Sequence, residues 1–335
     1  MKVFIDGRWG TTGLQLEERL RRRSDVEILD IDQDLRKNQK AKAAVMDKAN
    51  VIFLCLPDEE ARASVKIAPK DALIIDASTA HRTDPDWAYG FPELSQKHRE
   101  LVGTGKRISV PGCHACGFNA LVYPLVAGGL IPADAQINCT SLTGYSGGGR
   151  SLIETYEKDR NKEDSNKADS IKEDPLCAPR PYALGLKHKH LPEMKAVSGL
   201  NQPPHFYPVV GDMAQGMLVT VHLWANQFCK TVSPKIIYEY LADHYQNAHF
   251  VRVKQPDPSE KTGQDNNYNL DYCLDNGFLD PTACNGTNQM ELFVFGHNEQ
   301  ILLVARLDNL GKGASGAAVQ CMNIACSLDE RTELE

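Results

Sequence analysis

The first 110 residues alternate short, wholly apolar runs with stretches of helical texture, and that alternation leaves few folds open. The runs are Lys2–Asp6, Val26–Ile31, Val51–Leu56, Ala72–Asp76 and Arg107–Val110. Between them lie Gly13–Arg23, Asp58–Ile67 and a proline-bearing stretch around Trp87–His98. A strand covered on both faces has no polar side to show, so continuous apolar runs separated by helices indicate a parallel sheet. The pattern predicts an α/β fold with a Rossmann-type doubly wound parallel sheet. From about residue 135 the texture changes. Gln136–Leu142, Met217–Leu223, Glu291–Phe295 and Gln300–Leu307 read as longer strands with partial alternation, the last two joined by a hairpin-like Gly296–Glu299 linker. They predict a second, α+β domain with a mixed, largely antiparallel sheet. Gly313–Leu328 reads as a helix rich in small residues that packs back on either domain.

With 335 residues, two domains are the expectation. A hydrophobic share of 42% and a charged share of 24% supply an ordinary soluble core. A net charge of −7 argues against nucleic acid as a partner. No apolar run approaches the roughly 18 residues of a membrane span, and Asp6 interrupts the N-terminal apolar run too early for a signal peptide. The ten cysteines are scattered rather than framed, which favours free thiols in a reducing cytoplasm. One segment stands apart: Glu157–Asp174 carries 12 charges in 18 residues and reads as a solvated helix or loop.

Asp6-Gly7-Arg8-Trp9-Gly10-Thr11-Thr12-Gly13 follows the first strand and opens a helix. Glycines there permit a tight turn and a close approach to a pyrophosphate, and a helix N-terminus favours the negative charge. The spacing departs from the common dinucleotide pattern, and the plainer reading is a glycine-rich turn with no ligand. Its position after the first strand of a parallel domain favours a nucleotide. Asp30 and Asp32, about twenty residues on, suit the free ribose hydroxyl of NAD, whereas Arg36 and Lys37 suit the 2′-phosphate of NADP.

Val110-Pro111-Gly112-Cys113-His114-Ala115-Cys116-Gly117 is the most informative stretch. Cys113 follows a strand and a Pro-Gly turn, just ahead of a helical run from Gly117 to Val126. The unpaired N–H groups of a helix start stabilise a thiolate, the form that acts as a nucleophile. Against this stand a buried small hydrophobe and a Cys113/Cys116 redox pair or half metal site. No second Cys-x-x-Cys or His-x-x-x-His accompanies it, so no metal is expected.

Four further segments carry candidate chemistry. Lys187-His188-Lys189-His190 offers an acid/base group and a basic patch for an anionic substrate, or merely an exposed basic turn. Thr143-Gly144-Tyr145-Ser146-Gly147-Gly148-Gly149-Arg150 suits a backbone anion nest or a flexible loop. Asp76-Ala77-Ser78-Thr79-Ala80-His81-Arg82 lies at a strand's carboxyl end, where open α/β sheets bind ligands and Arg82 could grip a phosphate. Asp308-Asn309-Leu310-Gly311-Lys312-Gly313 opens the last helix, with small residues suited to a cofactor or to plain packing.

In the order GRWGTTG, IDASTAHR, YGFPEL, VPGCHACGF, TGYSGGGR, GLKHKHLPEM and DNLGKGASGAAVQ, these segments resemble the short form of the N-acetyl-gamma-glutamyl-phosphate reductase family nearly end to end. The resemblance implies NADPH-dependent reduction of an acyl phosphate, N-acetyl-L-glutamyl 5-phosphate, to the 5-semialdehyde in arginine biosynthesis. Cys113 matches the family nucleophile and His190 its acid/base. Gly7, Gly10, Thr11, Thr12 and Gly13 match the cofactor loop, Arg36 the carrier of an NADP preference and Asn309 a residue near the nicotinamide amide. Arg82, Ser146, Gly147 and His188 match positions near the substrate. A dinucleotide-binding domain over 1–115 and 309–335, a catalytic and oligomerisation domain over 116–308, and a homo-oligomer (dimer or tetramer) follow from the same resemblance. Related semialdehyde dehydrogenases share only the glycine loop and the cysteine, and a reductase of another acyl phosphate is the near alternative.

Two features depart from the family pattern. Cys116 stands where threonine is usual, which keeps a thiol–disulfide oxidoreductase, or a regulatory Cys113–Cys116 disulfide, as a competing expectation. The charged segment over 157–174 is longer than the short form generally carries.

Overall fold

The computed structural model describes residues 1–163, 176–255 and 273–334, with side chains 159–163 left aside. The chain divides into two compact units, Met1–Cys113 with Leu310–Glu335, and His114–Asn309.

The first unit is built on six parallel strands: β1 (Lys2–Asp6), β2 (Glu27–Leu29), β3 (Val51–Leu54), β4 (Leu73–Asp76), β5 (Ala88–Tyr89) and β6 (Arg107–Ser109). They lie in the order β2-β1-β3-β4-β6-β5. Every residue of β3 and β4 is buried, as a strand covered on both faces requires. Helices α1 (Thr11–Arg21), α2 (Gln39–Met46), α3 (Asp58–Ile67) and α4 (Gln96–Thr104) connect them. Phe4, Ile52, Leu54 and Ile74 meet Met46 and Ala61 in one buried cluster, which ties α2 and α3 to the sheet. Asp58, Glu59 and Glu60 fill the first turn of α3 and complement its dipole, and Ser95 caps α4 by accepting from the His98 N–H.

The chain re-enters this unit at Leu310 with a π-helical turn, Gly311–Ser315, that runs into the terminal helix Gly316–Ala325. Buried charge anchors that turn. Lys312 donates to Glu93 and to Gln320, each at 2.7 Å, and Gln320 donates to Glu330, which accepts from Arg99 at 2.6 Å.

Among its described residues the second unit carries seven strands: β7 (Asn138–Gly144), β8 (Arg180–Pro181), β9 (His205–Gly211), β10 (Met217–Trp224), β11 (Val251–Val253), β12 (Met290–His297) and β13 (Gln300–Leu307). Their order is β11-β12-β13-β10-β7-β9-β8, with only β11/β12 and β7/β9 parallel. The remaining helices of this unit are α5 (Cys113–Ala127), α6 (Gly149–Glu163), α7 (Leu191–Ser198) and α8 (Pro234–His244), and the terminal helix is α9. Helix α5 contains Pro124, which has no N–H to give the Ala120 carbonyl. The Tyr245 hydroxyl donates to that carbonyl instead, at 2.8 Å, so the helix continues through the proline. No helix among the described residues is long and apolar enough to cross a membrane.

Several elements differ from the sequence expectation. Trp87–His98, expected to be helical, holds the two-residue β5 and a turn, and α4 begins only at Gln96. Helix α5 begins at Cys113, four residues earlier than expected, so the cysteine lies inside the first turn. Helix α2 and strands β8, β9 and β11 were not anticipated. The charged segment is helical from residue 157 to 163 as the end of α6, and from residue 164 it lies outside the described residues.

Candidate active site

The glycine loop of the first unit has almost no room for side chains. Gly7 has φ +86°, and a Cβ there would collide with the Cys55 carbonyl oxygen. A Cβ on Gly13 would lie 2.6 Å from the Arg8 Cα and from the Gly7 oxygen. Gly10 caps α1 with its carbonyl, which accepts from Leu14 N–H at 2.9 Å, and no side chain caps the helix start. The N–H groups of Thr11 and Thr12 stand in that uncapped first turn, the arrangement that receives a phosphate.

Beside the loop lies a cavity of about 570 Å³, whose wall includes Gly7, Gly10, Trp9, Arg36, Lys37 and Lys42. Lys42 is committed to Asp6 at 2.7 Å, and Asp6 also accepts from Ser64. This donor set fits a dinucleotide: a backbone phosphate cradle, an apolar wall from Ile31, Leu56 and Ile67, and the cations Arg36 and Lys37.

The Asp76–Arg82 segment does structural work that the sequence did not disclose. Asp76 is fully buried and accepts from the Ser78 N–H and hydroxyl, and its Oδ2 lies 2.7 Å from His81 Nδ1. The His81 ring stacks on Trp87 at 4.1 Å. Arg82, expected at the substrate phosphate, is buried and donates to the carbonyls of Val110 (2.9 Å) and Ala77 (3.0 Å). Part of its donor fork therefore braces the loop leading to Cys113. Cys113 itself is half-buried at the first residue of α5, and Cys116 on the same helix is fully buried.

In the second unit the rings of His114, His188 and His190 converge. His114 lies 5.3 Å from His188 and 5.5 Å from His190, and His188 lies 4.8 Å from His190, between ring centroids. Phe206 packs against both His114 and His188. His114 is held at both nitrogens, Nδ1 with the Ser141 hydroxyl at 2.8 Å and Nε2 with the Tyr182 hydroxyl at 2.7 Å. Burial, reinforced by His188 and Lys189, pushes His114 down to about 3, and burial with Lys189 pushes His188 down to about 4. Both rings are therefore neutral near pH 7, each with one N–H to donate and one ring nitrogen to accept a hydrogen bond. His190 is buried and ends the approach to α7, its carbonyl accepting from Met194 N–H and its own N–H donating to His188 Nδ1 at 3.2 Å. Lys187 and Lys189 remain exposed. The preceding loop places Ala183 and Leu186 at positive φ, 52° and 53°, an unfavourable backbone for residues with side chains.

Also within this unit, Asn309 donates to Ser146 Oγ at 2.9 Å and accepts from the Gly216 N–H at 3.0 Å. Gly147 lies beside it, where a Cβ would sit 3.7 Å from the Asn309 amide nitrogen. Asn309, expected near the cofactor, and Ser146 and Gly147, expected near the substrate, thus form one cluster. His114 and Tyr182 were not singled out from the sequence; a second histidine beside the cysteine was the one available signal. Among the described residues no group of three His, Cys, Asp or Glu side chains is arranged to hold a metal.

A parallel dinucleotide-binding unit followed by a mixed-sheet unit, with a cysteine where the chain passes from one to the other, defines a semialdehyde dehydrogenase architecture. Family models agree. The semialdehyde dehydrogenase NAD binding domain matches residues 11–101, and the semialdehyde dehydrogenase dimerisation domain matches residues 113–309. Among solved structures, aspartate semialdehyde dehydrogenase from Francisella tularensis superposes with a TM-score of 0.70 at 14% identity, covering 97% of this chain and 99% of that one. Its counterpart II from Vibrio cholerae, complexed with ASA, gives 0.64 at 15% identity, covering 97% and 98%. Sequence relatives are nearer. N-acetyl-gamma-glutamyl-phosphate reductase 2 of Nostoc sp. is 42% identical over 337 residues, covering 99% of each chain. The N-acetyl-gamma-glutamyl-phosphate reductase of Chelativorans sp. is 40% identical over 331 residues, covering 97% of this chain and 98% of its own. The chain belongs to the N-acetyl-gamma-glutamyl-phosphate reductase family and is built to use a nicotinamide cofactor.

Proposed function

We propose that this protein reduces N-acetyl-L-glutamyl 5-phosphate to N-acetyl-L-glutamate 5-semialdehyde and phosphate with NADPH, a step of arginine biosynthesis. The observation that carries the reading is the full-length likeness to reductases of that name. Cys113 at the start of α5 supplies the chemistry, because helix-start N–H groups favour the thiolate. Its sulfur attacks the acyl carbon, and the collapsing adduct expels phosphate and leaves a thioester. NADPH supplies the hydride that reduces the thioester carbonyl. His190 then delivers a proton to the developing oxygen and recovers it as the thiohemiacetal collapses to aldehyde and thiolate.

The remaining assignments follow the same reading. Gly7, Gly10, Thr11, Thr12 and Gly13 cradle the pyrophosphate, and Arg36 receives the 2′-phosphate that makes the cofactor NADP rather than NAD. Ser146, Gly147 and His188 contact the substrate, Asn309 orients the Ser146 loop beside the nicotinamide amide, and Arg82 lies near the substrate phosphate. The dinucleotide-binding domain, expected at 1–115 and 309–335, is the first unit, and the catalytic and oligomerisation domain, expected at 116–308, is the second, which takes in His114 and Asn309. A homo-oligomer forms through the second unit's sheet. The face bearing Thr220, His222 and Trp224 also carries Tyr207, and Trp224 and Tyr207 are 56% and 40% exposed. The protein works in the cytoplasm.

The reverse reaction tests the function. N-acetylglutamate semialdehyde, phosphate and NADP+ should yield reduced nicotinamide only when all three are present. Equal turnover of aspartate semialdehyde would replace the substrate assignment, and turnover without phosphate dependence would remove the acyl-phosphate reading.

A further inference from the structure

Two acids follow β2, where in a dinucleotide fold an acid accepts from a ribose 2′-hydroxyl and repels a 2′-phosphate. Both are already engaged by the protein. Asp30 Oδ1 accepts from the Arg8 guanidinium at 2.9 Å and from the Ile31 N–H at 2.8 Å. Asp32 accepts from Asp34 N–H through its side chain and from Leu35 N–H through its carbonyl, closing the turn that delivers Arg36 and Lys37 to the cavity wall. Arg8 belongs to the glycine loop itself. It is fixed between Asp30 and Glu17 of α1, the latter at 3.3 Å.

The next residue, Trp9, ties this pair to the cavity. The guanidinium of Arg8 lies 5.0 Å from the indole centroid and that of Arg36 lies 5.6 Å from it. An indole face holds a guanidinium without neutralising it. Lys42 is balanced by Asp6, whereas among the described residues neither Arg36 nor Lys37 makes an ion pair with a carboxylate. Among the described residues the cavity wall therefore carries two cations without an ion-pair partner, Arg36 and Lys37, against one such carboxylate, Glu60, while Asp30, next to the cavity-lining Ile31, is held by Arg8. A dianionic phosphate is the group that completes such a charge set.

Resting on the reading of this cavity as the cofactor site, we propose that Arg8 is the residue that converts it to NADP. By holding Asp30, Arg8 withdraws the carboxylate that would select a ribose hydroxyl, and Trp9 carries Arg36 to the 2′-phosphate. The acids that resemble an NAD signature in the sequence are thereby made compatible with a 2′-phosphate by a side chain from the loop next to them.

Calorimetric titration of the full chain with adenosine 2′,5′-bisphosphate and with adenosine 5′-monophosphate tests this without catalysis, since the two ligands differ only in the 2′-phosphate. The wild type should prefer the bisphosphate by at least about tenfold, the scale of one charge-assisted contact set. Arg36→Gln and Trp9→Leu should each lower that preference with little change in monophosphate affinity. Arg8→Gln should lower bisphosphate affinity and raise monophosphate affinity, and Arg8→Gln with Asp30→Asn should restore the preference because the exposed acid is gone. A wild type that binds both ligands equally overturns the NADP reading itself. A wild type with the preference but an Arg8→Gln variant with an unchanged ratio overturns the role of Arg8 alone. Failure of the double variant to restore the preference shows that Arg8 does not act through Asp30. An unchanged ratio in Trp9→Leu or in Arg36→Gln overturns the Trp9–Arg36 part.

Discussion

The glycine loop of the first unit and the histidine cluster of the second are made from opposite materials. The loop works by the absence of side chains: Gly7 and Gly13 leave no space for a Cβ, and the charge offered to a ligand comes from backbone N–H groups that do not titrate. The cluster works by side chains packed so closely that burial decides their protonation, with His114 held at both ring nitrogens. The difference teaches where each half is vulnerable. The loop answers to steric change and is indifferent to pH, whereas the cluster tolerates crowding poorly and is driven by pH.

Cys113→Ser should give the largest effect and separates the two regions most sharply. A hydroxyl is a far weaker nucleophile, so kcat should fall by about 10³-fold or more, while calorimetric NADP+ affinity should hold within about twofold. Equal loss in both would mean that the substitution disturbs the nucleotide unit as well. Next comes Gly13→Val, whose side chain meets the Arg8 backbone and the Gly7 oxygen. By pushing the loop off its phosphate-binding geometry it should weaken NADP+ binding by about 100-fold, about 2.7 kcal/mol, yet leave the pH dependence of unfolding as in the wild type.

His114→Phe acts in the other direction. The folded protein keeps His114 neutral down to about 3, whereas the unfolded chain takes up that proton near the ordinary value of 6.5. The unfolded state then binds more protons, so stability is complete above pH 6.5 and is lost as pH falls. The slope is about 1.4 kcal/mol per pH unit between pH 6.5 and 4 for this one residue. His188, shifted the same way but partly exposed, adds a smaller share. Urea midpoints across that range should show the slope reduced in His114→Phe. At pH 7 the same variant should lose about 1–3 kcal/mol through the stranded Ser141 and Tyr182 hydroxyls. An undiminished slope would assign the acid sensitivity elsewhere.

The smallest effect belongs to Asn309→Ala, which removes hydrogen bonds to Ser146 and from Gly216. About 1 kcal/mol of stability should be lost, with KM for the acyl phosphate rising more than Kd for NADP+, because Ser146 moves and the glycine loop does not.

The same contrast explains what could be read in advance. β1, the glycine loop and α1 were legible because backbone-made features announce themselves in residue type: an apolar run, then glycines, then helix formers. The β12/β13 hairpin was legible from its turn. Helix α2 was not, since it is short, lysine-rich and buries only Met46. β5 is not legible because two buried residues are too few to show a period. In β9, Pro208 argues against a strand, yet the pairing with β7 is parallel and runs through it. Of the site, the cysteine and the basic histidine turn were visible, but His114 and Tyr182 meet across 68 residues of chain, and only the sheet brings them together. In the sequence Arg82 offers itself as an anion grip, because residue type cannot show that two of its donors face carbonyls.

The central claim is that Cys113 carries the acyl group. With N-acetylglutamate semialdehyde and NADP+ supplied and phosphate omitted, the enzyme should form a single burst of reduced nicotinamide, one equivalent per active subunit, and stop. Peptide mass analysis should then find the N-acetylglutamyl group on Cys113, released on adding phosphate. Steady turnover without phosphate, or an acyl group on Cys116 or on no cysteine, would contradict it.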